Sequence, residues 1–292
     1  MRFGFVLPYG DARTAGDLAA MAEEHGWDGF FVWEGIWAID AWVSLTAAAM
    51  TTNQIRLGTM LTPLPRRQPW ELASQTSTLD NLSGGRVTLS VGLGVTGDDR
   101  WWLFESDPGR KVRAERLDEG LAMVSKLWTG TPFDYAGKHF RSRATGSLVP
   151  PAAPPPVQKP RIPVWVVGGW PRPKSMRRAA AWDGWLPHYA PHDTSAGSDF
   201  TPDMLAEGTD WIRAHRAAQG LTMDDYDVVM EGTTPHDDPV AAAEIVRPWA
   251  DAGATWWLDA DWSSLDPDEV RSASERRLRA GPPRPARLGS VG

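Results

Sequence analysis

Short apolar runs alternate with longer amphipathic runs along this chain of 292 residues, and the alternation occurs eight times. Apolar, β-like runs cover residues 2–8, 29–33, 55–61, 86–94, 162–169, 184–188, 226–232 and 255–260, and a run with helical spacing follows each of them. Strict alternation of this kind predicts a parallel sheet with helices outside it. Eight such units in a chain of this length predict an α/β fold, the (β/α)8 TIM barrel.

A doubly wound open sheet is the competing fold. It normally has fewer strands, and no GxGxxG motif follows the first apolar run to indicate a dinucleotide site. Helix boundaries can also be read from single residues. The third helix should begin at Pro69, because proline is favoured at the first helical position, and should stop at Gly84-Gly85.

One segment interrupts the alternation. Residues 133–161 are rich in proline and lie between the fourth helix and the fifth strand. They could form a linker between domains, but the alternation resumes at once with Ile162, which favours an insertion into a single domain. We therefore expect one barrel domain over 1–280 with a proline-rich insertion at about 133–161, followed by a loose C-terminal tail over 281–292.

Composition excludes several classes of function. Cysteine is absent, which excludes disulfides and thiolate metal sites, and no other metal site is predicted. No apolar run approaches a membrane span, and the opening apolar run is too short for a signal peptide, so a cytoplasmic protein without membrane contact is expected. A net charge of −7 gives no reason to expect nucleic-acid binding.

The active site of such a barrel forms at the carboxyl ends of its strands. The expected strand ends are rich in indole, in a chain with 17 tryptophans and 4 tyrosines. We predict a substrate pocket lined by Tyr9, Trp33, Trp37, Trp101 and Trp262. An apolar, aromatic mouth of this kind suits a large flat ligand.

Carboxylates also occur at the strand ends. Glu34 or Glu231 together with Asp259 could serve as the carboxylate pair of a hydrolase, although each of them could equally be a solvated loop acid. His188 ends the sixth predicted strand. Glu34 and His188 are the candidate catalytic acid or base groups.

Several segments together resemble the bacterial luciferase-like flavin-dependent oxidoreductases. The segments are LGTMLTPLPRRQPWELASQTSTLDNLSGGRVTLSVGLG (57–94), RAERLDEGLAMVSKLWTGTPFDYAGKHF (113–140), PVWVVGGWPRPKSMRRAAAWDGWLP (163–187), FGFVLP (3–8) and GWDGFFVWE (26–34). The resemblance extends from residue 1 to about residue 190. It implies a (β/α)8 barrel with an insertion at the position of the proline-rich segment. It also implies that reduced FMN or the related deazaflavin, coenzyme F-420, binds at the strand ends.

The same resemblance implies a set of cofactor-binding residues. The flavin ring would rest on Met60, Leu61 and Thr62, where a bulge and a cis peptide bond are common, and Gly92 and Gly94 would let the backbone approach the ligand. Gly168, Gly169 and Trp170 match a turn whose amides bind the phosphate, and Arg172 and Lys174 would lie nearest to that anion. Arg113 matches an arginine that reaches the same phosphate, but it could also be a surface charge at a helix start.

Two departures from the family pattern bear on the chemistry. Gly35 stands where many members have a catalytic histidine after an acid, and Val95 stands where sugar-phosphate dehydrogenases have an acid. Hydride exchange with a deazaflavin usually benefits from a placed proton donor or acceptor. The sequence therefore favours a monooxygenase that uses reduced FMN and oxygen on an apolar or aromatic small molecule.

Two alternatives remain open. The first is a deazaflavin (coenzyme F-420)-dependent reductase or dehydrogenase that transfers hydride, and the second is a non-catalytic flavin-binding protein. The resemblance also implies a homodimer formed through the second and third helices and, for a monooxygenase, a separate flavin reductase as a partner.

Overall fold

The computed structural model describes residues 1–95, 102–143, 153–191 and 200–284. Eight parallel strands close into a barrel in which the first strand along the chain pairs with both the second and the last. In barrel order the strands are β1 (Arg2–Leu7), β2 (Gly29–Val32), β3 (Arg56–Thr59), β4 (Val87–Val91), β7 (Val164–Trp170), β8 (Gly184–Tyr189), β9 (Asp227–Gly232) and β10 (Trp256–Ala260). The expected (β/α)8 barrel is confirmed, and the open sheet is excluded.

A helix follows each barrel strand. The helices are α1 (Ala12–Glu24), α2 (Ala41–Thr51), α3 (Pro69–Ser83), α4 (Arg110–Leu127), α5 (Pro173–Ala180), α6 (Pro202–Ala217), α7 (Pro239–Asp251) and α8 (Pro267–Ala280), and a short 3₁₀ helix covers Leu64–Arg66. Their limits follow from local chemistry. The Asp40 carboxylate accepts hydrogen bonds from the first amides of α2, and α3 ends at Gly84, whose φ of 68° is left-handed.

Aromatic side chains fill the inside of the barrel. Phe31, Trp165 and Trp256 pack together with ring centroids 5.3 to 6.0 Å apart, and all three are buried. A packed interior leaves no channel through the barrel. Any ligand must therefore lie above this core, at the carboxyl ends of the strands, which we call the mouth.

The described parts of the proline-rich insertion pack against the barrel. They include a small antiparallel pair of strands, β5 (Tyr135–Ala136) and β6 (Arg141–Ser142), which the sequence did not predict. The turn of this hairpin is fixed to α4, because the Glu119 carboxylate accepts the backbone N–H groups of residues 138–140. Further along, the Gln158 side chain donates to Asp80 of α3 at 2.7 Å.

The chain beyond α8 returns to the amino end of the barrel. Arg284 donates to the Gly26 carbonyl at 2.9 Å, so residues up to 284 are in contact with the domain. The rest of the expected loose tail lies outside the described residues, and the domain limit at residue 280 stays a prediction. Across the described part of the chain, the helices are too short or too polar to cross a membrane.

Candidate active site at the barrel mouth

A bulge interrupts β3 at the mouth. Leu57 pairs with Val87, but further along Thr62 bridges to Val91, so β3 has one more residue than β4 over this stretch. The Met60–Leu61 peptide bond within the bulge is cis. Thr62 is fully buried, and its backbone N–H donates to the Ser90 carbonyl at 2.8 Å. The bulge that the resemblance implied is therefore present.

Apolar side chains form the floor of the mouth beside this bulge. Met60 and Val167 pack on the aromatic core inside the barrel. A Cβ at Gly92 would lie 3.1 Å from Leu61 and from Val167, so only glycine leaves this floor without a further side chain. A flat apolar ring fits such a surface.

Glu34 follows β2 and reaches the bulge from the side. Its Oε2 accepts a hydrogen bond from Thr62 Oγ1 at 2.9 Å, and its Oε1 pairs with Arg67 Nη1 at 2.9 Å. The carboxyl side chain is only 11% exposed. Burial raises the pKa of Glu34 above its ordinary value, although the Arg67 charge and the hydrogen bond from Thr62 act in the opposite direction. Glu34 is thus a buried carboxyl group that can exchange a proton nearer to neutral pH than an exposed glutamate.

The next residue, Gly35, stands where many family members have a histidine, and the packing around it leaves no space for a larger side chain. A Cβ at Gly35 would come within 2.8 Å of the Trp33 ring and of the Ala38 Cβ. The Trp33 ring therefore occupies the space that a side chain at position 35 would need. Trp33 also donates its indole N–H to the Pro8 carbonyl, which fixes the ring. The titratable side chain beside the bulge is therefore the carboxyl group of Glu34 and not an imidazole.

His188 and Glu231 stand on the opposite side of the mouth. Gly184 of β8 pairs with Asp227 of β9, and this register, continued, brings His188 level with Glu231 on the lumen side. Both side chains are exposed to solvent at the mouth. The surrounding protein nevertheless desolvates both titratable groups in part: desolvation and the charge of Arg110 lower the pKa of His188, and desolvation raises the pKa of Glu231.

Trp262 connects this side to the indole of Trp33. The Trp262 indole N–H donates to Glu231 Oε1 at 2.6 Å, and the two tryptophan rings meet edge to face with centroids 6.0 Å apart. Tyr9 is half-buried against the core at the end of β1. Trp33, Trp262 and Tyr9 thus all lie at the strand ends where the substrate pocket was predicted.

Two other residues of the predicted pocket differ. Trp37 is 92% exposed on the loop after β2. Its ring lies beside that of the exposed Phe104, with the two ring centroids 6.3 Å apart. It forms part of an outer rim of the mouth instead of the pocket wall, because the loop carries its side chain away from the floor. Trp101 lies outside the described residues.

The three residues predicted to form a phosphate-binding turn continue a strand instead. Gly168, Gly169 and Trp170 lie inside β7 and pair with β8, because the strand runs through Trp170. The Gly169 N–H donates to Ser175 Oγ at 2.8 Å, and a Cβ at Gly168 would meet the Trp185 ring at 2.6 Å. Arg172 donates to the carbonyls of Ala190 and Pro191. Their role in binding a phosphate stays a prediction.

Arginine side chains border the mouth next to β4. Arg113, in the first turn of α4, is only 2% exposed, so it is not a surface charge at a helix start. It donates to the Val95 carbonyl at 2.9 Å. The guanidinium groups of Arg66 and Arg113 both lie near the Trp102 ring, 4.5 and 5.2 Å from its centroid. Gly94 has a φ of 76°, and a Cβ there would lie 3.6 Å from the Arg66 guanidinium carbon.

Asp259 does not belong to the mouth. It faces outward from β10, is fully buried, and pairs with Arg277 Nη1 at 2.5 Å. A carboxylate behind the barrel wall and paired with an arginine cannot meet a substrate in the mouth together with Glu34 or Glu231. The carboxylate pair of the hydrolase alternative is therefore not formed.

A cavity of about 610 Å³ lies elsewhere, between α8 and the loops that lead into α7 and α8. It is lined by polar groups that include His236, Asp261 and Arg276. None of the predicted site residues lines it.

Sequence reasoning missed three residues of the mouth: Arg66, Arg67 and Trp102. The signal that could have found the first two is the pair of adjacent arginines between prolines in PLPRRQP, directly after the strand whose end carries the residues predicted to bind the flavin ring. Side chains that follow a barrel strand at its carboxyl end are expected at the mouth.

Comparison with known proteins identifies relatives along nearly the whole chain. A family model described as luciferase-like monooxygenase matches residues 1–286. A Mycobacterium tuberculosis protein whose name assigns it provisionally to the coenzyme F-420-dependent oxidoreductases is 30% identical over 255 residues, which are 83% of this chain and 69% of that protein. The F-420-dependent glucose-6-phosphate dehydrogenase of Nocardia farcinica is 29% identical over 274 residues, which are 90% of this chain and 76% of the relative.

Solved structures agree on the fold. The coenzyme F-420-dependent tetrahydromethanopterin reductase from Methanopyrus kandleri superposes with a TM-score of 0.71 and covers 96% of this chain and 98% of its own. The two sequences are 18% identical, so this likeness concerns the architecture.

Proposed function

The chain belongs to the luciferase-like monooxygenase family, and we propose that it is a deazaflavin (coenzyme F-420)-dependent oxidoreductase that exchanges hydride with a small organic substrate. The two relatives described above carry F-420-dependent names, which favours this function over the FMN monooxygenase that the sequence alone favoured. The family description itself names monooxygenases, so the choice of cofactor rests on the relatives and on the residues of the mouth.

The environment of Glu34 is the observation that carries the proposal. The sequence argument against hydride transfer was the loss of both proton-transfer groups, at Gly35 and Val95. The buried Glu34 carboxyl beside the bulge removes this objection, because it is available to exchange a proton and has a raised pKa. Oxidation of an alcohol removes a proton from oxygen as well as a hydride from carbon, and Glu34 would accept that proton.

The residues of the mouth fit a flat ring with an anionic side chain. The floor formed by Met60, Leu61, Gly92 and Val167 is apolar and leaves space above Gly92. The arginines beside β4 would face the anionic part of the cofactor. A bound deazaflavin would supply the hydride chemistry, and the protein would orient the ring, exclude water and move the proton.

The substrate is proposed to be apolar or aromatic. Trp33, Trp262 and Tyr9 line the mouth, and the exposed Trp37 and Phe104 extend the apolar surface to its rim. A sugar phosphate is not proposed, because Val95 replaces the acid that follows the strand glycines in sugar-phosphate dehydrogenases. The substrate class therefore differs from the one named for the Nocardia farcinica relative.

Binding experiments test the cofactor. The purified protein is titrated with F-420, FMN and reduced FMN while tryptophan fluorescence is followed. We expect F-420 to bind at least about tenfold more tightly than FMN in either redox state, a difference of about 1.4 kcal/mol. A preference for reduced FMN would overturn the proposal in favour of a monooxygenase. Binding of F-420 without reduction by any alcohol in a broad panel would indicate a non-catalytic binding protein.

A further inference from the structure

Two tryptophan rings and a carboxylate meet at one side of the mouth. Trp33 follows β2 and Trp262 follows β10, and their rings stand at an angle of 90° with centroids 6.0 Å apart. Glu231, near the end of β9, accepts the indole N–H of Trp262 on its Oε1 at 2.6 Å. We call these three residues the indole corner.

The indole corner is held by the fold and still open to a ligand. The Trp33 ring is fixed because its indole N–H donates to the Pro8 carbonyl, and the Trp262 ring is fixed by its bond to Glu231. Trp262 is nevertheless 43% exposed, and Glu231 is exposed as well. An indole face and a carboxylate group are thus both within reach of a molecule in the mouth.

The charge at this side of the mouth is negative. Among the described residues, the pKa of Glu231 responds to desolvation and to the Trp262 hydrogen bond, and to no positive charge. His188 stands level with Glu231, but desolvation and the charge of Arg110 lower its pKa, so it is neutral at neutral pH and supplies no counter-charge. The arginines of the mouth lie beside β4, and β7 and β8 separate that strand from β9.

Aromatic faces beside a carboxylate favour an organic cation. A cation is attracted to an indole face within about 6 Å of its centroid, most strongly when water is displaced. The hydrogen bond that Trp262 donates to a carboxylate polarises the ring and strengthens this attraction. A neutral ligand would cover Glu231 without pairing its charge, and an anionic ligand would be repelled by it.

We propose that the indole corner binds an ammonium group, so that the substrate is an apolar organic cation, a protonated or quaternary amine. The ammonium group lies against the rings of Trp33 and Trp262 with Glu231 as its counter-ion, and the apolar body extends towards the floor of the mouth. The ammonium group is recognised and does not react. The proposal deepens the proposed function by adding one positive charge to its apolar substrate, and it rests on that function for the reaction.

Two probes of the same shape and different charge test the indole corner in the cofactor-free protein. Choline carries a quaternary ammonium group, and in neohexyl alcohol a neutral carbon replaces that nitrogen. Ligand-observed NMR gives both dissociation constants for wild type, Glu231→Gln and the control Glu244→Gln, an exposed glutamate on α7. We expect wild type and Glu244→Gln to bind choline at least about tenfold more tightly than neohexyl alcohol. Glu231→Gln should lose most of this preference and keep its affinity for neohexyl alcohol.

Substitutions of Trp262 separate the contribution of the ring from that of the charge. Trp262→Leu removes the aromatic face, and should reduce the preference for choline over neohexyl alcohol at least about fivefold. Trp262→Phe keeps a weaker aromatic face, and its preference should lie between those of wild type and Trp262→Leu. Equal affinities for the two probes in wild type, a preference that Glu231→Gln leaves unchanged, or an equal loss of both probes in Glu231→Gln would each overturn the proposal.

The same titrations separate this proposal from the proposed function, because neither probe needs F-420 in order to bind. Charge-selective binding that depends on Glu231, in a protein that does not bind F-420, would sustain the indole corner and refute the proposed function. Tight binding of F-420 without any preference for choline would sustain the proposed function and refute the indole corner as a cation site.

Discussion

Arg86 and Arg66 stand at opposite ends of the barrel, and their surroundings differ. Arg86 precedes β4 at the amino end, and all three nitrogens of its guanidinium group donate hydrogen bonds. The acceptors are Ser83 O, Thr52 Oγ1 and the carbonyls of Ala49, Thr52 and Ile55, at 2.8 to 3.1 Å. Arg66 at the mouth has two buried nitrogens without any acceptor in the described structure.

The difference shows how differently the fold surrounds one residue type at the two ends of the barrel. Arg86 binds the last carbonyls of α2, which are the groups that a helix leaves without partners. The fold itself supplies a hydrogen-bond acceptor for each nitrogen of this guanidinium group. Arg66 has no comparable set of acceptors among the described residues, and it lies at the carboxyl end of the barrel, where function resides in this fold.

The largest expected effect is the loss of the satisfied arginine. Arg86→Met leaves the end carbonyls of α2 buried without donors, and should lower the free energy of unfolding by about 3 kcal/mol. Urea unfolding measures this, with Arg213→Met as the exposed control. Arg66→Met is expected to lose nothing in the same experiment. Similar losses for Arg86→Met and Arg66→Met would abolish the contrast between the two ends.

The amino end of the barrel, which Arg86 stabilises, was predicted from the sequence more accurately than the mouth. Helix and strand limits follow from local signals, such as Pro69 at the start of α3 and Gly84 at its end, so all eight units were found. The surroundings of Arg66 depend on Trp102 and Arg113, which are distant in sequence and come close to it only in the folded chain. The exposure of Trp37 depends in the same way on the course of a loop.

The pairing of backbone strands was the second feature that could not be predicted from local sequence. Gly168 and Gly169 look like a turn in sequence, because two adjacent glycines usually mark one. In the structure they continue β7, since Gly168 makes space for the Trp185 ring and Gly169 pairs with β8. Neither contact is visible from local sequence, whereas the bulge at Met60–Thr62 was reached through the family resemblance.

The second largest effect should fall on activity and spare stability. Glu34→Gln keeps the shape of the side chain but removes its ability to accept a proton, and should lower kcat about 100-fold. Its free energy of unfolding should stay at the wild-type value, because the substitution also removes a buried charge. The control is Glu244→Gln, on α7. Activity retained in Glu34→Gln would move the proton-transfer role to His188, and a parallel His188→Gln variant would then show the loss instead.

The smallest effect tests whether Arg67 tunes Glu34 instead of merely packing beside it. Arg67 lies 2.9 Å from Glu34 and lowers the pKa of that carboxyl, which burial raises. Without this charge the pKa of Glu34 rises further, so the carboxyl stays protonated, and unable to accept a proton, up to a higher pH. The acidic limb of the profile of kcat/KM against pH should therefore move to higher pH in Arg67→Met, with a roughly threefold to tenfold loss of activity on that limb. Arg67→Lys should largely restore the wild-type profile because it keeps the charge. A limb that does not move in Arg67→Met, at any level of activity, would show that this arginine belongs with Arg86 among the structural residues.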